Sequence, residues 1–165
     1  MGVVKTIFPR IRWQEWRFNS VPESFWEEAQ NRRRYLNWLG SQLGFRRRED
    51  WYRLHNRDLI RTGGNGLAKR FGFSLPAILY DYRPRYTWQE WRFTRVPYGF
   101  WAQQENRHRY LDWLGQQLGY REPGDWHTLR VQDVCRHHGG GLLQSYRGGL
   151  TRLVREYLSG GAASG

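Results

Sequence analysis

The sequence predicts an all-α protein built of two tandem helical repeats of about 75 residues. Each repeat reads as an aromatic clip, one long helix and about three short helices. Three observations carry this. The segment NRRRYLNWLGSQLG at Asn31–Gly44 returns as NRHRYLDWLGQQLG at Asn106–Gly119. Within it Tyr35, Leu36, Leu39 and Leu43 share one helical arc, with Trp38 at its edge and Arg33, Asn37 and Ser41 pointing away, the pattern of an amphipathic helix. Finally, residues 13–83 align with 88–158 without a gap, with 32 of 71 positions identical and all ten tryptophans paired. Retention of that kind after duplication marks a tandem array.

The elements follow in order. Residues 1–12 form a basic arm with Lys5, Arg10 and Arg12 and no acid. Repeat unit 1 spans 13–83 and unit 2 spans 88–158. Each opens with WQEWRF, then Val-Pro, then Phe-Trp; proline and brevity favour an irregular clip lying across helix surfaces over a sheet. The long helix comes next, stopped by Gly44 or Gly119. Asp50-Trp51 and Asp125-Trp126 follow in a loop where the Asp suits a cap. A short helix is expected at Arg57–Arg61 and Gln132–Arg136, and another opens at Gly66-Leu67 and Gly141-Leu142. The last is LPAILYDY or LTRLVREYL, with Ser74 as N-cap and Pro76 tolerated in the first turn. Residues 159–165 read as a flexible tail.

Charge is the dominant global property. Twenty-seven basic residues face 15 acidic ones, a net +12 with a pI near 10.5, and 25 of the 27 are Arg. Arg offers a planar fork of donors to phosphate and stacks on aromatic faces, so a polyanionic partner is the leading inference. No apolar run approaches the roughly 20 residues that span a bilayer. The single Cys135 suits a reducing compartment, with a mitochondrial or plastid matrix as candidates.

The order W-x-x-W-x-F, V-P, F-W, N-R-x-x-Y-L-x-W-L-G-x-x-L-G, D-W, G-G-x-G-L resembles a tandem repeat family of algae and other eukaryotic microbes. That resemblance implies the repeat architecture and supplies no catalytic residues. Leu67–Phe71 followed by Leu75–Tyr82 also resembles helix-turn-helix repeats that accompany homing endonucleases, which implies DNA as an alternative partner. Unit 2 replaces Ser74 of that stretch by Gly149.

Catalytic chemistry is not expected. No histidine of one unit aligns with a histidine of the other, and Cys135-Arg136-His137-His138 lacks the second ligand pair that zinc requires. No Walker-type loop or nucleophile elbow is present. No metal or other cofactor is therefore expected. Arg32 and Arg107 lie on the apolar stripe and should be buried against an acid such as Asp50 or Asp58. Arg34 and Arg109, one turn before Trp38 and Trp113, could lie on those indoles while reaching for phosphate. Arg46, Arg47 and Arg48 form a loop triplet with no apolar demand on it, thinned in unit 2 to Arg121.

The expected nucleic-acid-binding set is Lys5, Arg10, Arg12, Arg33, Arg34, Arg46, Arg47, Arg48, Arg109, Arg121, Arg152 and Arg155. The tryptophans read mainly as core, with Trp13 and Trp88, outermost in the clips, as candidates for base stacking. These features together predict a non-catalytic component of a ribonucleoprotein particle, a ribosomal protein for example, bound to RNA (ribosomal RNA foremost) and to neighbouring proteins. The alternatives are a DNA-binding helix-turn-helix module, in which Thr151, Arg152 and Arg155 would read bases, and a protein scaffold centred on an apolar patch at Trp13 and Trp88.

Overall fold

The computed structural model describes residues 14–18 and 21–161, and those residues are all-helical, with no strand. Lys5, Arg10, Arg12 and Trp13 lie outside the described residues. The chain divides into two compact units, Met1–Trp88 and Gln89–Gly165. The boundary therefore falls one residue inside the second sequence repeat, and Trp88 belongs to the first unit.

In the first unit, 3-10 turns at Glu15–Arg17 and Glu23–Trp26 make up the clip. The long helix α1 is Ala29–Gln42. A 3-10 turn at Arg48–Arg53 leads to α2 (Asn56–Arg61), α3 (Asn65–Arg70) and α4 (Leu75–Tyr82). In the second unit the clip turns are Glu90–Arg92 and Phe100–Ala102, and α5 is Gln104–Leu118. A 3-10 turn at Pro123–Thr128 precedes α6 (Val131–Arg136), α7 (Gly140–Ser145) and α8 (Gly149–Gly161). Helix α8 has 13 residues where α4 has 8, so Ser159–Gly161 are helical and not part of a tail.

The elements close as their sequences require. Gly44 and Gly119 follow the long helices with φ of 69° and 73°, the left-handed turn that glycine adopts without a Cβ penalty. The Ser74 hydroxyl accepts from the Ala77 N–H at 3.4 Å and Pro76 sits in the first turn.

Each unit is organised around a fully buried tyrosine. Tyr35 meets Trp16 and Trp26 edge-on, with centroids 5.5 and 5.2 Å away, and Trp38 at 5.9 Å. Its hydroxyl bonds with Thr62 Oγ1 at 2.6 Å and donates to the Leu59 carbonyl at 3.3 Å. Tyr110 repeats this with Trp91, Trp101 and Trp113 at 5.6, 5.4 and 5.9 Å. Its hydroxyl donates to the Val134 and His137 carbonyls at 3.2 Å each. Edge-to-face geometry at these separations suits the aromatic quadrupole, and a buried phenol needs such partners. The clip thus lies across the long helix, as its sequence requires.

The repeated glycines seat these rings. A methyl on Gly64 would collide with the Tyr35 phenol, and one on Gly139 with that of Tyr110. A methyl on Gly40 would stand 2.8 Å from Trp51, and one on Gly115 2.9 Å from Trp126. Of the nine described tryptophans, seven are buried, so core packing accounts for most of them. Trp88 is wholly buried: its indole donates to the Leu79 carbonyl at 3.1 Å, and its ring packs on Tyr52 and Tyr86. It is neither a stacking platform nor the centre of an exposed patch, because its own unit encloses it.

Two substitutions test this packing in opposite directions. Gly64→Ala should destabilise by about 2–3 kcal/mol through overpacking against Tyr35. His138 holds φ of 65°, where its counterpart Gly63 has 85°. His138→Gly should therefore stabilise the second unit by about 1 kcal/mol. Denaturant titrations of both variants read the two signs.

Candidate nucleic-acid interface

The loop after α1 is folded back by one carboxylate. Asp50 Oδ2 accepts from the backbone N–H groups of Arg46 and Arg47 at 2.9 and 2.8 Å. The N–H of Arg47, then that of Arg46, holds the Asp50 carboxyl below the ordinary carboxylate range. Asp125 does the same for Arg121 and Glu122, at 2.8 and 3.0 Å. The expected cap is therefore present in both loops, and the side chains of Arg46, Arg47 and Arg48 are left exposed.

The end of α4 completes the site. Tyr82 donates to Asn37 Oδ1 at 2.6 Å, tying α4 to α1, and Trp51 packs beneath against Gly40. Between the loop and this floor lies a cleft of about 840 Å3, lined by Arg46, Arg47, Arg48 and Arg83 among others. Arg48 lies over the Tyr86 ring at 5.2 Å and Arg83 over Tyr82 at 4.8 Å. Stacking orders the two guanidiniums without neutralising them. Among the described residues none of these four arginines forms a salt bridge. Glu49 is the only acid in the lining. Arg33 is exposed one helical turn before Asn37 on the same stripe of α1 and is not part of the cleft lining.

The second unit has a cleft at the corresponding place, also of about 840 Å3. Its lining differs in charge. Arg121 remains, but Glu122, Pro123 and Leu158 stand where the first unit has Arg47, Arg48 and Arg83, and Asp112 replaces Asn37. The asymmetry is general: residues 1–88 carry 17 basic and 8 acidic side chains, and residues 89–165 carry 10 and 7.

Other expected contacts are internal. Arg34 does not lie on Trp38. It lies over Trp16 at 5.8 Å and pairs with the buried carboxylate of Glu15 at 3.1 Å. Arg109 likewise lies over Trp91 and pairs with Glu90 at 3.1 Å, not on Trp113. The reason is direction: side chains of a helix lean toward its N-terminus, where the clip supplies both ring and acid. Arg32 pairs with Asp81, not Asp50 or Asp58, through two bonds of 2.7 and 2.8 Å. Its remaining donors reach the Trp26 and Glu27 carbonyls at 2.9 and 2.6 Å. Arg107 keeps the equivalent carbonyls of Trp101 and Ala102. The acid at the position of Asp81 is Glu156, which is bonded by Arg152 at 2.9 Å. Arg155 is exposed on α8, outside the lining of either cleft.

Arg83 was not among the expected binding residues, since Arg83-Pro84-Arg85 reads as a linker. The available signal was its place directly after the buried end of α4, which returns that helix to the long one. In the Cys135–His138 stretch, His137 Nδ1 bonds with the Asp133 carbonyl at 2.7 Å. Among the described residues no three His, Cys, Asp or Glu side chains converge, and no helix is long and apolar enough to cross a membrane. No protein-family model matches the chain, and no curated protein or solved structure matches it.

The internal arginines make a directional prediction. Asp81→Ala leaves Arg32, whose side chain is 9% exposed, without its carboxylate and should cost roughly 3 kcal/mol. Glu156→Ala should cost measurably less, because the partner it releases, Arg152, is exposed and is left solvated. Burial also pushes the Tyr35 hydroxyl up to about 12 from 10.0. Its folded value lies above its unfolded one, so its contribution is complete below pH 10 and is lost as pH rises towards 12. Tyr35→Phe should remove that part of the alkaline destabilisation, read as a flatter stability profile between pH 10 and 12.

Proposed function

We propose that the protein is a non-catalytic nucleic-acid-binding component of a larger ribonucleoprotein particle, taking RNA ahead of DNA through the cleft of the first unit. The observation that carries this is the set of four arginines in one cleft, ordered by a capped loop and by aromatic rings yet free of salt bridges among the described residues. Guanidinium forks of this kind match phosphate oxygens, and contacts to the backbone give affinity without base specificity.

The position of α4 favours RNA over the helix-turn-helix alternative. In the first unit that helix would have to enter a major groove. Leu75, Pro76, Ile78, Leu79 and Tyr82 are buried, and Asp81 is held by Arg32. It presents no Arg, Asn or Gln to read base edges. A particle component that clamps phosphates of folded RNA needs no such reading helix.

The test is a titration of the full chain with structured RNA, single-stranded RNA and duplex DNA across a salt series. Structured RNA should bind tightest, with affinity falling steeply as salt rises. Replacing Arg46, Arg47 and Arg48 together by Ala should weaken binding and make the slope of log K against log salt shallower by about 2–3, one contact per guanidinium. An unchanged slope in the triple variant would remove the cleft from the account.

A further inference from the structure

The two clefts share a frame and differ in charge. In each, an Asp carboxylate folds the loop through two backbone N–H groups, a Trp lies beneath a helix glycine, and a Tyr hydroxyl bonds to the long helix. In the second unit that last bond runs from Tyr157 to Asp112 Oδ1 at 2.7 Å. The volume is kept, while three of the four cations are replaced and two carboxylates, Asp112 and Glu122, enter. Both are exposed side chains, and among the described residues neither forms a salt bridge.

We infer that the cleft of the second unit is a receptor for a cationic side chain, arginine or lysine, of a basic segment on a neighbouring protein. Its materials suit that occupant. Tyr120 and Tyr157 line the cleft with aromatic rings, which attract a guanidinium or ammonium, and Leu158 and Pro123 line it with apolar surface for the carbon stem. Asp112 and Glu122 supply the opposite charge. Asp112 stays available, because a carboxylate accepting one phenolic hydrogen bond retains further lone pairs. A nucleic-acid backbone is disfavoured in the same place by both carboxylates. Of the other groups that face the cleft, His108 lies beside Asp112 in the lining and Arg121 opposes a cation.

That opposition gives the proposal its sharpest test. Arg121→Gln should tighten binding of a cationic peptide several-fold, whereas a residue serving phosphate would show loss of RNA affinity and no such gain. Asp112→Asn and Glu122→Arg should weaken it about fivefold or more each, about 1 kcal/mol per lost pair. Neither change threatens the fold: the first unit carries Asn37 and Arg47 at these positions, and Asn37 accepts the equivalent tyrosine bond.

The experiment is a titration of the isotope-labelled full chain with the acetylated and amidated peptides Arg-Gly-Arg-Gly-Arg and Glu-Gly-Glu-Gly-Glu, following the Trp126 and Trp51 indole N–H signals. The basic peptide should move Trp126 and leave Trp51, and the acidic one should not move Trp126. No movement of Trp126, equal movement by both peptides, or movement unaffected by Asp112→Asn and Glu122→Arg would overturn the proposal. RNA titrated into the same sample reads the first unit separately, so failure of one site is distinguishable from failure of the other.

Discussion

A phenol buried among tryptophans is the constraint from which the rest of each unit follows. Tyr35 and Tyr110 are wholly enclosed, and their hydroxyls have to find partners inside the core. They find them at the end of α2 and of α6, which fixes the distance between the long helix and the short ones. The rings around each tyrosine come from the clip, so a segment without regular structure is held by edge-to-face contacts. Glycine is required where those rings meet backbone, which explains why Gly40, Gly64 and their counterparts recur while many surface positions drift.

This packing also sorts the arginines into two populations. Arg32, Arg34, Arg107 and Arg109 are bound to carbonyls or carboxylates inside their units and hold the clip and the final helix to the long one. Of the four only Arg32 is buried, and the internal pairing of all four commits them to the fold. Among the described residues Arg46, Arg47, Arg48 and Arg83 meet no carboxylate, and the fold orients them through backbone capping, ring stacking and, for Arg83, a bond to the Tyr82 hydroxyl. Net charge alone does not separate these groups. The partner of each guanidinium does.

The all-helical class was legible in the sequence because Tyr35, Leu36 and Leu39 recur at helical spacing and are buried on one face of α1. The capping of the loops by Asp50 and Asp125 was legible from residue type and position alone. The partners of the long-helix arginines were not. Asp81 lies 49 residues from Arg32, and Glu15 lies before the helix that bears Arg34, so both pairings depend on tertiary return of the chain. Trp88 misled for a related reason: its place in the second repeat suggested an outer clip residue, yet its indole closes the first unit. Arg83 is not legible in the sequence, because a Pro-flanked basic stretch between repeats has the composition of a linker and only the bond of Tyr82 to Asn37 brings it beside α1.

The measurement that bears most directly on the central claim is photo-crosslinking of structured RNA to the full chain, with the attached peptides identified by mass. The account predicts attachment concentrated in residues 45–53 and 82–86, with little in the equivalent segments of the second unit, 120–128 and 157–161. Equal yield from both sets, or crosslinks confined to the second, would contradict the assignment of nucleic-acid binding to the arginine cleft.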